Sequence, residues 1–278
     1  MNRRQLIQLS LLAALAPTGQ LNAATTPTKT SKARGSAKKG LGIGGHSPDL
    51  SRKLQELRCK WFYSWGPNIP EGVPEGTTFI PMIFKYYGNR EAVLSAANAA
   101  KNAGIKELLT FNEPDEYRQG NMTVEQALDA WPILQETGLR LGSPACVHPD
   151  NEWMKAFMEG AKKRDLQVDF VGVHSYGDAN AEALIQRLHA IHKLFRKPIW
   201  ITEFAVGDWK AKSPEANQYK PDKVLKFMEV LLPQLSKLDF VERYAWFPAK
   251  PENKALGTSA LFTDDGTLTR LGECYRDH

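Results

Sequence analysis

The sequence predicts an α/β fold, a single (β/α)8 barrel of the TIM type. Three observations carry the prediction. Eight short β-rich runs alternate with longer stretches of helical period. Several runs, such as Phe79-Ile-Pro-Met-Ile-Phe84 and Pro198-Ile-Trp-Ile-Thr202, are apolar almost throughout, the pattern of strands covered on both faces in a parallel sheet. The span from Leu41 to His278 matches the roughly 250 residues typical of such a barrel. A doubly wound open sheet is the alternative fold.

Taken in order, the first run, Leu41–Gly44, precedes a helical stretch over Leu50–Arg58. Lys60–Trp65 runs instead into Gly66–Thr78, a Pro/Gly-rich loop, so the second unit is irregular. Phe79–Phe84 is followed by a helix over Glu91–Asn102, and Glu107–Asn112 by one over Val124–Thr137. The latter opens with Thr123-Val-Glu-Gln126, whose capping-box spacing lets two side chains satisfy orphan backbone donors. Arg140–Cys146 pairs with Glu152–Lys163, Val168–Tyr176 with Ala181–Phe195, and Pro198–Phe204 with Lys223–Ser236. After Arg243–Pro248 only a short Leu271–Arg276 is left for the final helix.

The charge is unevenly placed. Arg3, Arg4, Lys29, Lys32, Arg34, Lys38 and Lys39, unopposed by any acid before Leu41, turn the net +5 of the chain into −2 for the remainder, so no basic face for nucleic acid is implied. Residues 1–23 read as an export signal: a basic start, an apolar run over Leu9–Ala16, then Asn22-Ala23-Ala24 as a small-residue cleavage region. Asn2-Arg-Arg-Gln-Leu-Ile7 resembles a bacterial twin-arginine signal. The expected location is therefore periplasmic or extracellular. The apolar run falls short of the roughly 20 residues that span a bilayer. Residues 24–40 read as a flexible basic linker.

Several chemistries lack their residues. Gly40-Leu-Gly42-Ile-Gly-Gly45 matches G-x-G-x-x-G, but a linker precedes it and no acid ends the next strand, so it does not read as a dinucleotide site. There is no G-x-S-x-G, H-E-x-x-H or C-x-x-C. His189 and His192 share a helix face without neighbouring ligand types and read as a solvated face. Asn121-Met-Thr123 is formally a glycosylation sequon and reads here as cap and loop chemistry. Cys59 and Cys146 read as small buried hydrophobes, with one bridge among Cys59, Cys146 and Cys274 left open.

In a barrel, chemistry collects at the C-terminal ends of the strands. Glu107, Asp169 and Glu242 start their strands and read as structural charges of the opposite rim. Glu113 follows the fourth run and Glu203 closes the seventh, so both face one mouth. Two converging carboxylates suit glycoside hydrolysis: one protonates the leaving oxygen, the other attacks or activates water. Aromatic rings add the flat faces on which pyranoses stack, and Trp65, which ends the second run, and Trp246, near the end of the eighth, can reach that mouth. Trp61, at the start of its strand, reads as core; Trp209 reads equally as rim or packing. Lys85, Tyr86 and Tyr87, after the third run, are placed to meet sugar hydroxyls.

These motifs resemble clan A glycoside hydrolases, and more specifically glycoside hydrolase family 128, the Asl1-like catalytic domain. The matching stretches include Lys60-Trp-Phe-Tyr-Ser-Trp65, Phe111-Asn-Glu-Pro-Asp115, Val168-Asp-Phe-Val-Gly-Val-His174, Ile201-Thr-Glu-Phe-Ala205 and Glu242-Arg-Tyr-Ala-Trp-Phe247. The resemblance implies Glu113 as general acid/base and Glu203 as nucleophile of a retaining enzyme. It places Asn112 on the sugar 2-hydroxyl. His174 and Tyr176 either orient Glu203 and help hold it ionised, or, for His174, form a buried imidazole bonded to backbone. The implied activity is endo-β-1,3-glucanase on laminarin-type glucan, by a monomer without metal or organic cofactor. Two alternatives stand beside it: a β-glucan-binding barrel with little turnover, and a hydrolase of β-1,4-glucan or mannan.

Overall fold

The computed structural model describes residues 36–47 and 49–278. The export signal and most of the predicted linker lie outside them. The elements run β1 (Lys39–Gly42), α1 (Leu50–Glu56), β2 (Trp61–Tyr63), β3 (Thr78–Phe79), α2 (Arg90–Asn102), β4 (Glu107–Leu108), α3 (Val124–Gln135), β5 (Arg140–Leu141), α4 (Glu152–Lys163), β6 (Val171–Gly177), α5 (Ala181–Phe195), β7 (Ile199–Val206), α6 (Pro221–Lys237), β8 (Val241–Trp246) and α7 (Arg270–Asp277). As predicted, no helix follows β2.

All ladders are parallel. Six strands pair in the order β3-β2-β1-β8-β7-β6, and β4 pairs with β5. Single bridges at Met82–Leu109 and Gly142–Phe170 join the two sheets, so the eight strands close into a ring. The ladders of β3 to β5 are shorter than their apolar runs, which contain Pro81 and Pro144; a proline brings no N–H to a ladder. The chain nonetheless stays extended to the mouth, where Asn112 bridges Ala145. Thr123 and Gln126 form the predicted capping box.

The seam between β8 and β1 corrects the predicted linker boundary. Lys39 belongs to β1 and is wholly buried. Its Nζ donates to the carbonyls of Tyr275 at 2.6 Å and Arg276 at 2.9 Å, where the negative end of α7 favours a cation. The Tyr275 hydroxyl donates to the Gly40 carbonyl at 2.6 Å and accepts from Trp246 N at 3.2 Å, so the short last helix completes the barrel.

The glycine motif has a packing cause. A Cβ on Gly40 would stand 2.3 Å from the Trp61 indole, and one on Gly42 would stand 3.2 Å from the Trp65 and Tyr63 rings. These glycines leave room for an aromatic column, Trp61, Tyr63 and Trp65, whose neighbouring ring centroids are 6.2 and 5.1 Å apart. The three cysteines are free, with Cys59 and Cys146 buried as expected. His189 and His192 pack on the Phe240 ring, at 4.9 and 4.5 Å, so their face is partly covered where the sequence suggested solvent.

Candidate active site

Glu203 reaches the mouth from β7, a strand buried along its whole length. The register of β6 against β7 shifts between Val173 and His174, and His174 then pairs with Glu203. Such an irregularity re-aims side chains at a barrel rim. Glu113, just past β4, has φ 41°, a left-handed backbone uncommon for a residue with a side chain. Its N–H donates to the Ala145 carbonyl at 2.8 Å. Asp115 fixes the same turn by accepting from Val147 N at 3.1 Å and Asn151 Nδ2 at 2.7 Å. Trp65, φ 56°, shares this strain. Strained residues of this kind cluster where surrounding structure over-determines a functional geometry.

One carboxylate oxygen of Glu113, one of Glu203 and a nitrogen of His174 all lie within 4.8 Å of one another. Glu203 Oε1 accepts from the Tyr63 hydroxyl and from Trp65 Nε1, each at 2.8 Å, and Oε2 accepts from the Tyr176 hydroxyl. Burial, with the Glu203 charge beside them, pushes both tyrosines well above their ordinary pKa, so they stay donors. His174 Nδ1 and Glu113 Oε1 are hydrogen-bonded at 2.9 Å, and His174 Nε2 lies 3.5 Å from Glu203 Oε1. Burial works to lower the imidazole pKa, but the Glu203 and Glu113 carboxylates outweigh it and the net direction is upward. The spacing of the three groups would suit a cation. Both oxygens of Glu203 are already engaged by neutral donors, however, and the arrangement is that of a hydrogen-bonded anion.

The carboxylates open into a cleft of about 960 Å³ lined by Trp65, Phe84, Asn112, Tyr176, Trp209 and Phe247 among others. The structure thus brings Glu113, Glu203, Asn112, Trp65, His174 and Tyr176 together. Asn112 Oδ1 is buried without a protein partner. Two predicted residues are elsewhere. Trp246 is wholly buried, donates from Nε1 to the Ser259 carbonyl at 2.9 Å and packs outward against Phe227 and Tyr275. Phe247, one position on, faces the cleft instead, because side chains alternate along a strand. Lys85 is not on the cleft wall; its ammonium donates to the Asn121 carbonyl at 3.1 Å and braces the turn after β4.

Tyr63 and Phe247 are the site residues that the sequence reading missed. The signal for Tyr63 was present, since it lies two residues before Trp65 and so shares its face of β2. Trp209 stands on the rim, 65% exposed, its ring 6.0 Å from that of Tyr176.

A closed parallel barrel with two carboxylates converging at the C-terminal ends of strands four and seven defines the class of paired-carboxylate glycoside hydrolases. Residues 40–275 match the model of the glycosyl hydrolase catalytic core, and the chain belongs to that family, in its glycoside hydrolase family 128 branch. Among solved structures it is similar to a subgroup I endo-β-1,3-glucanase of Amycolatopsis mediterranei, solved as a glutamate-to-alanine variant with laminaritriose and laminaribiose. The two share 34% identity over 86% of this chain and 98% of that one, with a TM-score of 0.73. It is also similar to a curdlan-specific exo-β-1,3-glucanase of subgroup III from Blastomyces gilchristii, with 28% identity, 87% and 99% coverage, and a TM-score of 0.70. A curated relative is alkali-sensitive linkage protein 1 of Schizosaccharomyces pombe, 30% identical over 86% of this chain. The chain spans 44% of that protein's length.

Proposed function

We propose that the protein is a retaining endo-β-1,3-glucanase acting on laminarin-type glucan. The observation that carries the reading is the spacing of the two carboxylates, with oxygens within 4.8 Å, close to the about 5–5.5 Å between carboxyl groups in retaining enzymes. Glu203, oriented by hydrogen bonds from Tyr63, Trp65 and Tyr176, attacks the anomeric carbon while Glu113 protonates the departing oxygen. Glu113 then takes a proton from water, which attacks the same carbon and frees Glu203. Asn112 meets the sugar 2-hydroxyl with its unpartnered Oδ1, and Trp65, Trp209 and Phe247 supply stacking faces. Endo action follows the subgroup I relatives. The chain acts as a monomer, without cofactor, after export directed by residues 1–23.

The test is incubation of purified protein with laminarin and with linear β-1,3-glucan, following new reducing ends and product size. Internal cleavage to mixed oligosaccharides with initial β-anomers is expected. Binding without new reducing ends would remove the enzymatic reading, and faster turnover of β-1,4-glucan or mannan would reassign the linkage.

A further inference from the structure

The net charge of −2 after Gly40 hides an uneven distribution along the barrel axis. In a βα barrel the strand starts and helix ends share one face, opposite the mouth. On that face Lys60 and Lys106 directly precede β2 and β4, and Lys101, Lys193 and Lys237 lie in the last turns of α2, α5 and α6. All five are exposed, and among the described residues the ion pairs of this face use other cations. Fewer acids, Glu75, Asp165, Asp169 and Asp239, stand outside ion pairs there. The helix dipole accounts for lysines in last turns, but Lys60 and Lys106 start strands and gain nothing from it. The sequence ahead of Ser36 adds Lys29, Lys32 and Arg34 without an acid, and the Ser36 N–H donates to the His278 carbonyl at 3.0 Å, at this same end.

Between the ends of α4 and α5 the face opens into a hollow of about 710 Å³. Met158, Leu166, Val168 and Phe195 give it an apolar wall, and Lys162, Arg196 and Lys197 line it with cations. Leu194, 49% exposed, lies beside them. The other charges of the hollow are largely matched: Lys155 pairs with Glu152 at 2.7 Å and Glu159 with Lys163 at 2.6 Å, and Asp165 is outside ion pairs. Arg196 ends α5 with φ 52°, a left-handed backbone that Gly104 and Gly138 supply after α2 and α3. Glycine adopts it more easily, so the arginine brings a guanidinium at some cost to the helix end. A second hollow, of about 490 Å³ between α2 and α3, repeats the pattern with Lys101 and Lys106 beside Ile105 and Leu139. Cations next to apolar surface suit a partner that is anionic at one end and apolar at the other, as a phospholipid is; a soluble polyanion needs charge alone. We propose that the face opposite the mouth docks on an anionic phospholipid surface, with a lipid phosphate among Lys162, Arg196 and Lys197 and with Leu194 at the acyl boundary. Docked in this way, the barrel turns its cleft away from the membrane.

The experiment is co-sedimentation of the full chain with vesicles of phosphatidylcholine, with and without phosphatidylglycerol, at low salt. Preferential binding to the anionic vesicles is expected, weakening steeply as salt is added. Each basic residue near such a surface is worth roughly fivefold in partitioning, so Lys162→Gln/Arg196→Gln/Lys197→Gln should bind on the order of 100-fold more weakly. Leu194→Asn should weaken binding severalfold at every salt concentration, because it removes apolar contact and no charge. Lys250→Gln/Lys254→Gln, which neutralises two exposed lysines on the loop after β8 at the mouth end, should bind as the unmodified chain does. All variants share the same N-terminal residues, so the differences report on the face. Equal binding to both kinds of vesicle overturns the proposal, as does a loss in the Lys250/Lys254 variant equal to that of the triple variant. Binding of inorganic polyphosphate as tight as that of vesicles, with Leu194→Asn without effect, would assign the face to a soluble polyanion and overturn the membrane partner. Laminarin turnover in the triple variant should be unchanged, and the vesicle result stands or falls independently of the glucanase reading.

Discussion

The two ends of the barrel treat their carboxylates in opposite ways. At the N-terminal rim Glu242 accepts both Arg140 Nη2 contacts, at 3.0 and 2.9 Å, and the Trp200 indole N–H at 2.8 Å. Arg243 lies 3.5 Å from Glu107, and its guanidinium stacks on the Trp61 and Trp200 rings. Asp169 accepts from Leu141 N at 2.6 Å and Gln167 Nε2 at 2.7 Å. At the mouth, Glu113 and Glu203 have hydroxyl, indole and imidazole partners but no arginine. A guanidinium nitrogen shared between both carboxylate oxygens holds the carboxylate and neutralises it. Neutral donors hold it in place and leave its charge free to react. Glu242 and Glu107 are cancelled by arginines, whereas Asp169, like the pair at the mouth, is held by neutral donors, so the contrast rests on the glutamates.

The largest expected effect follows from that contrast. Glu203→Gln keeps the shape and most of the donors but removes the nucleophile, and kcat on laminarin should fall on the order of 10⁴-fold or more while the far-UV spectrum is unchanged. Glu113→Gln should cost about 10²–10⁴-fold on the same glucan. The loss should be much smaller on an aryl glucoside whose leaving group needs no proton. A uniform loss on both substrates would show that Glu113 is not the acid.

At the structural end the test is stability against pH. Burial lowers the Lys39 ammonium to about 8. Below about 8 both the folded and the unfolded chain hold that proton, and the folded state carries the desolvation. Between about 8 and the unfolded value near 10.4 only the unfolded chain holds it, so this group makes stability rise with pH, by about 3 kcal/mol over the full span. Cys59, pushed up to about 12 by burial, acts in the opposite sense above about 8.5. The readout is therefore the difference between the unmodified chain and Lys39→Met in urea titrations, which should widen in favour of the lysine from pH 8 to 10.

Tyr63→Phe and Tyr176→Phe each delete one hydrogen bond to an ionised carboxylate, worth about 1.5–3 kcal/mol. Each should lower kcat roughly 10- to 100-fold, with KM moving less. Equal losses in kcat and in thermal stability would recast these hydroxyls as structural, like the donors of the lower rim.

How far the sequence foretold this depends on what each residue touches. The eight-unit barrel was legible because apolar runs and helical stretches are local patterns, and the ends of those runs placed Glu113 and Glu203. The limits of that reading are equally physical. Trp246 and Phe247 are adjacent, and an alternation read one residue out of phase exchanges core for cleft. Lys39 looked like linker because its cost of burial is offset by carbonyls of Tyr275 and Arg276 at the other end of the chain. His174 could be placed at the end of its strand, yet its pairing with Glu113 depends on a shift in register between β6 and β7 that no sequence period reports.

The smallest effect sharpens the comparison most directly. Arg140→Met removes the guanidinium from Glu242 but leaves the aliphatic body of the side chain against Phe170, over which the guanidinium now lies at 5.3 Å. The Arg140 and Glu242 side chains are 36% and 33% exposed, so solvent screens much of their attraction. The cost should be only about 1 kcal/mol, a fall in Tm of about 2–4 °C for a chain of this size. Glu242 retains the Trp200 indole donor, β5 keeps its pairing with β4, and β8 its pairing with β1 and β7. Because this pair sits at the opposite end of the strands from Glu113 and Glu203, kcat and the position of the pH profile should be unchanged. A shift of the profile in Arg140→Met would mean that the lower rim reaches the carboxylates electrostatically through the barrel, and the separation of the two ends would fail.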